Sequence, residues 1–308
     1  MIKKEKIIDS FIIFLKGICM GAADIVPGVS GGTIALIMGI YARLIDGIKG
    51  FFETFNKKTF MYLFKGNFRK FLKNVMKIDF TLFIPLLFGI GTAILTMSNL
   101  INYVMENHRL STYSVFFGLI LGSSYILYRS TRKIKSNIGN KKTFFKKNIH
   151  FVSLILGIGL SILITMVSST NIRPTNISLF FVGSISITAM ILPGISGAFI
   201  LVILNHYEYV ISIIRNLQLF EMGIFSLGAL TGLFLFSKGI SFMLHNHEKS
   251  SKLFLIGLML GSLNFQFNVI KEFGIGINTF ILSGSFILLG IFVVYFLEKI
   301  SLLNKEKI

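Results

Sequence analysis

The chain has 308 residues, 53% of them hydrophobic and 14% charged, with a net charge of +18 and a mean hydropathy of +0.77. Several separated apolar runs reach the length that crosses a bilayer, so the chain reads as an all-α, polytopic membrane protein with one integral domain over 1–308. Its basic residues cluster between those runs, a pattern that sets membrane orientation and argues against nucleic-acid binding, while the single cysteine, Cys19, excludes an intrachain disulfide and a Cys-rich metal site.

In chain order, the first apolar segment covers 7–26 and carries Lys16 and Asp24. It follows Lys3, Lys4 and Lys6 as a signal peptide would, but it runs straight into the next motif with no convincing cleavage site and reads as retained. Pro27-Gly28-Val29-Ser30-Gly31-Gly32-Thr33 breaks the run, which resumes over 30–48. In lipid such a break must be satisfied by protein or by a water-filled cavity. The stretch 57–78 alternates Phe64, Phe68, Leu72 and Met76 with Lys65, Arg69, Lys70, Lys73 and Lys77 at helical spacing, which predicts one basic amphipathic helix on a membrane surface. Spanning candidates follow at 80–105 and 112–128, around a polar turn at 106–111. A second basic linker, 129–147, leads to apolar segments at 149–168, 177–192, 196–214, 222–244, 253–267 and 277–297.

The Pro-Gly break recurs 166 residues later as Pro193-Gly194-Ile195-Ser196-Gly197. A second block repeats at an offset of 139: Gly89 falls on Gly228, Asn107-His108 on Asn246-His247, and Gly122-Ser123 on Gly261-Ser262, with twelve identities in the 35 positions from Gly89 to Ser123. The offsets differ by 27, about the length of the basic insert. The repeats therefore have cores at 7–129, with the insert at 57–78, and at 177–267, and each gains a further helix, at 149–169 and 277–297. Five segments per unit, or three crossings if the Pro-Gly pairs are re-entrant, is an odd count. An odd unit inverts the second copy, as in secondary transporters. Both termini and both basic linkers then share one side, the cytoplasmic one by the positive-inside rule.

In Pro-Gly-x-Ser-Gly, proline ends one helix, glycine permits a tight backbone, and serine caps the next helix. Two helix N-termini meeting near the midplane would suit an anion such as phosphate, with Pro27, Gly28, Ser30, Gly31, Gly32, Thr33, Pro193, Gly194, Ser196 and Gly197 as the binding set. The plainer reading is that these small residues only let helices pack closely. Asp24, matched by Met190 in the second repeat, could take a proton for ion coupling or cap the break. Of Arg43, Arg109, Arg173 and Arg215, Arg109 is the strongest phosphate candidate because its turn holds the repeated Asn-His pair, although snorkelling is the simpler role for each. His108 and His247 read as turn caps. No metal or other cofactor is implied.

The segment from Gly21 to Thr33, the second motif from Pro193 to Gly197, and the stretches Phe117 to Ser123 and Gly257 to Ser262 resemble the PopT-type polyprenyl-phosphate translocases over nearly the whole chain. The resemblance implies a bacterial plasma-membrane transporter that returns undecaprenyl phosphate to the cytoplasmic leaflet, with a polyprenyl-phosphate lipid as substrate and no catalytic set. Anionic lipids at the basic linkers are the further partner expected, and a homodimer stays open. An enzyme is the strongest rival, because undecaprenyl-pyrophosphate phosphatases also carry Pro-Gly-x-Ser in inverted repeats. Theirs continues with arginine, where this chain has Gly31 and Gly197, and pairs with an acidic helix this chain lacks. A small-anion transporter of the same architecture is the third reading.

Overall fold

The computed structural model describes residues 2–26, 29–55, 57–132, 143–167, 173–274 and 276–305. Pro27, Gly28 and much of the second basic linker, including Lys133, Lys135, Lys141 and Lys142, lie outside the described residues. The described residues are helical throughout, without strands: α1 (Ile2–Ile25), α2 (Gly31–Ile37), α3 (Tyr41–Thr54), α4 (Lys57–Phe64), α5 (Phe68–Val75), α6 (Phe80–Asn107), α7 (Arg109–Arg132), α8 (Thr143–Met166), α9 (Asn176–Ile191), α10 (Gly197–Ile203), α11 (Tyr207–Arg215), α12 (Leu219–Asn246), α13 (Glu248–Lys271) and α14 (Ile277–Lys305). Five are long and apolar enough to cross a membrane, α6, α7, α12, α13 and α14, or seven spans if α2 with α3 and α10 with α11 each count as one bent span.

The two halves pack alike. Helix α1 lies along α6 as α9 lies along α12, and α7 pairs with α14 as α13 pairs with α8, so the last helix of each half packs on the other half. Close backbone approach makes these pairs. A methyl group on Gly17 would stand 2.3 Å from the Leu86 carbonyl oxygen, and one on the matched Gly183 would stand 2.4 Å from that of Phe225. Gly89 lies against Phe14 as Gly228 lies against Phe180. With no hydrophobic force between helices in lipid, this contact is what holds them together.

Three predicted segments divide further than their periodicity suggests. The run 30–48 is not one helix: α2 and α3 are bent by 118° about Gly39, whose φ is 71°. The run 196–214 likewise splits into α10 and α11, bent by 111° at Asn205 with φ 56°. Both breaks fall twelve residues after the motif proline; Met38 and Ile40 hide the first from a periodicity count, while Asn205-His206 marks the second only as two polar residues. The basic insert forms α4 and α5 instead of one helix, because Gly66 turns the chain at φ 67° and Asn67 caps α5. Its Phe64, Phe68, Leu72 and Met76 are exposed, as an apolar face for a lipid surface would be. The predicted turn at 106–111 shrinks to His108 alone, which puts Arg109 in the first turn of α7.

Candidate functional site

Gly-Ser-Gly chemistry brings the two motifs together in the interior. Ser30 stands at the N-cap of α2, its hydroxyl accepting the Gly32 N–H at 3.1 Å. That hydroxyl also lies within donating distance of the Met190 and Leu192 carbonyls, at 3.0 and 2.9 Å, where α9 ends ahead of the second motif. Thr33 Oγ1 accepts the Gly194 N–H at 2.8 Å. Gly32 makes the crossing tight, since a Cβ there would stand 2.2 Å from the Ile191 carbonyl oxygen. Residues 30–33 thus satisfy the backbone groups that the Pro193 break frees, as a broken helix in an apolar setting requires.

The crossing is one-sided. Ser196 occupies the N-cap of α10, as the sequence predicts, but its side chain makes no cap hydrogen bond. With Ser161, Thr165, Ser262 and the apolar Ile164, Phe199 and Phe265 it lines a small, mostly apolar cavity of ≈ 10 Å³. Gly197 packs against Ser186 of its own half, Gly194 turns at φ 87° against the Leu258 carbonyl, and Pro193 is buried beside them.

Helix α1 clamps α2 at both ends. Asp24 Oδ1 accepts the Gly31 N–H at 2.6 Å, and Lys16 Nζ donates to the Met38 carbonyl at 2.9 Å. An anion at the N-terminus and a cation at the C-terminus are what a helix dipole favours. Of the two roles open to Asp24, capping the break is therefore present in the structure. The role of Lys16 was missed in the sequence, although a signal existed. Residues 16 and 24 lie about two turns apart, near 12 Å of rise, which matches the roughly 10 Å length of a seven-residue helix beside them. The second half has Val182 and Met190 at the matched positions. There, buried His206 serves the far end of α10, its Nδ1 at 2.6 Å from the Leu204 carbonyl and its Nε2 at 2.8 Å from Ser178 Oγ.

The arginines stand elsewhere. Arg109 pairs with Glu272 at 3.4 Å and lies over the Tyr113 ring at the start of α7. Arg43 bonds to Asp79 at 2.8 Å and to Thr81, while Arg173 and Arg215 are exposed. His108 and His247 occupy the residues after α6 and α12, but the cap bonds there come from their backbone N–H groups. Among the described residues no cluster of His, Cys, Asp and Glu could hold a metal. Hydroxyls and backbone amides can donate to an anion, while the Asp24 carboxylate only accepts.

Beside the crossing, α1, α2, α6, α7 and α14 enclose an apolar cavity of ≈ 410 Å³. Residues 20–279, which take in both motifs and the cavity wall from Ala22 to Leu119, match the model of the undecaprenyl phosphate translocase-like family. The chain belongs to that family. Two relatives of this translocase-like chain are each named polyprenyl-phosphate transporter. One, from Vibrio cholerae serotype O1, is 38% identical over 250 residues, 81% of this chain and 75% of its own. The other, from Staphylococcus aureus, is 33% identical over 268 residues, 82% and 84%. No solved structure matches the chain.

Proposed function

We propose that this chain carries polyprenyl phosphate, with undecaprenyl phosphate as the cell-wall carrier, between the leaflets of a bacterial plasma membrane. The observation that carries this reading is the crossing of residues 30–33 with residues 190–194 among apolar helices, in a chain of this family. The lipid phosphate is held at that crossing by the backbone and hydroxyls of residues 30–33 and 193–197, with Pro27 and Gly28 completing the proposed binding set, while its tail stays in apolar surroundings. Arg109, at the start of α7, meets the headgroup on entry. Asp24 holds the Gly31 N–H that a phosphate would use, so substrate and carboxylate compete for one donor. Protonating Asp24 releases the amide, which couples a proton to lipid movement.

The repeats are inverted, so rocking one against the other opens the crossing to each leaflet in turn. Both termini and the linkers at 57–77 and 129–147 face the cytoplasm, where the basic insert gathers anionic lipid at roughly 1 kcal/mol per basic residue. Cysteines placed at 65 or 141 in a Cys19→Ser background should resist an impermeant thiol reagent in intact cells. Labelling from outside overturns the orientation.

Reconstitution in liposomes with labelled undecaprenyl phosphate tests the activity, following leaflet position and phosphate release together. Movement without release is expected. Release of phosphate would make the chain a phosphatase, and neither outcome would return the motifs to a packing role.

A further inference from the structure

The ≈ 410 Å³ cavity lies beside the first-motif side of the proposed site. Ala23 and Val26 of its wall flank Asp24, and Ile34 follows Thr33 in α2. The lining is apolar apart from Thr112 and Cys19, and the Thr112 hydroxyl is already donated to the His108 carbonyl at 2.9 Å. Nothing there offers water the two to four polar partners it needs, and apolar cavities of this kind stay dry and accept apolar guests. Its size is that of a small-molecule site. Exposed Leu100 and Cys19 stand at its rim, on the surface that faces hydrocarbon.

The inward reach of this cavity is not imposed by the fold. In the second half a groove of ≈ 420 Å³ opens at Thr188, Gly239, Ile240 and Met243, matched to Ala22, Leu100, Ile101 and Val104, but Ile200, Leu255 and Leu258 are buried in the main core, where Tyr41, Leu44, Ile45 and Ile48 of α3 pack with them. The first half leaves the matched Ile34, Phe116 and Leu119 around a space instead. We infer that this cavity seats the phosphate-proximal isoprene units of the lipid, while the crossing beside it holds the headgroup. The inference rests on the transport reading above and adds chain specificity to it. A headgroup site alone would not distinguish polyprenyl phosphate from phosphatidic acid, whereas a cavity filled by branched, unsaturated five-carbon units would.

Cys19, the chain's one cysteine, is a built-in reporter of the cavity. Its alkylation by N-ethylmaleimide is followed in the detergent-purified full chain, alone and with saturating undecaprenyl phosphate or dioleoyl phosphatidic acid, and binding of each lipid is measured on the same sample. Undecaprenyl phosphate is expected to slow alkylation at least tenfold, and phosphatidic acid less than twofold. Ala22→Phe, which fills the cavity, should weaken undecaprenyl phosphate binding at least tenfold without lowering Tm. Binding of undecaprenyl phosphate with Cys19 still reactive overturns the inference and leaves the transport reading standing, and equal protection by phosphatidic acid overturns it too. If undecaprenyl phosphate does not bind at all, both fall. Should Ala22→Phe fail to fold, the protection of wild-type Cys19 decides alone.

Discussion

The two halves share helix pairing, glycine contacts and bent helices, yet they stand in different states. In the second half, α3 of the first half lies on α12, where the Ser241 hydroxyl donates to Asp46 at 2.7 Å, His245 stands 3.7 Å from Asp46, and Phe52 meets Phe234. Its counterpart α11 stays with its own half, packing Val210 and Ile213 against Leu179. The second half keeps a groove of ≈ 420 Å³ between α9 and α12, while in the first half the matched space runs in to Phe116 and Leu119 of α7. The amphipathic arms after the motifs, more than the motifs themselves, make that difference.

The largest expected effect sharpens that contrast directly. In a Cys19→Ser background, Phe116→Cys should react with N-ethylmaleimide at least tenfold faster than Leu255→Cys, its matched position. Equal rates would mean that the two states interconvert freely or that the hollow is filled. Gly32→Ala comes next. Its methyl would strike the Ile191 carbonyl, and a cost of about 3 kcal/mol in thermal unfolding is expected. Retained Tm would show that the halves are not locked there.

Smaller effects follow at paired positions. Asp24→Ala should cost about 2 kcal/mol by leaving the Gly31 N–H unsatisfied, while Met190→Ala should stay within about 0.5 kcal/mol. Ser30→Ala should cost about 1 kcal/mol, and Ser196→Ala, which loses no cap bond, less than half that. Equal losses in either pair would erase the chemical asymmetry. The smallest effect is at the surface, where the Arg43 hydrogen bond and the Thr81 hydroxyl hold the Asp79 carboxyl below its ordinary value of 3.8. A depressed carboxylate stabilises above its unfolded pKa and loses that contribution as pH falls through the lower folded value. Asp79→Asn should therefore flatten Tm against pH only below about pH 4. A flattening near neutrality would assign the effect to another group.

The long apolar helices, the two motifs and their repetition are legible in the sequence because proline, glycine and a 139-residue offset leave marks that survive in any apolar background. The bend at Gly39 is not, since Gly39 sits between Met38 and Ile40, and at Asn205-His206 the two polar residues mark a break without showing its 111° turn. Which serine would cap was equally hidden. Ser30 and Ser196 sit in the same five-residue pattern, and only the carbonyls of Met190 and Leu192 separate them. Arg109 drew attention through the repeated Asn-His pair beside it, but that pair marks a helix junction, and the guanidinium faces Glu272. The cavity has no signature at all. Its wall uses the same residue types as the packed core opposite.

The bends at Gly39 and Asn205 occupy matched positions, and both require a left-handed backbone. Glycine enters that region at no steric cost, whereas asparagine is tolerated there with some strain. The two bends therefore differ in backbone cost: the turn into α3 carries no Cβ strain and the turn into α11 carries some. Backbone chemistry alone thus makes the two halves unequal at their bends, and Asn205→Gly would be the change that evens the scale.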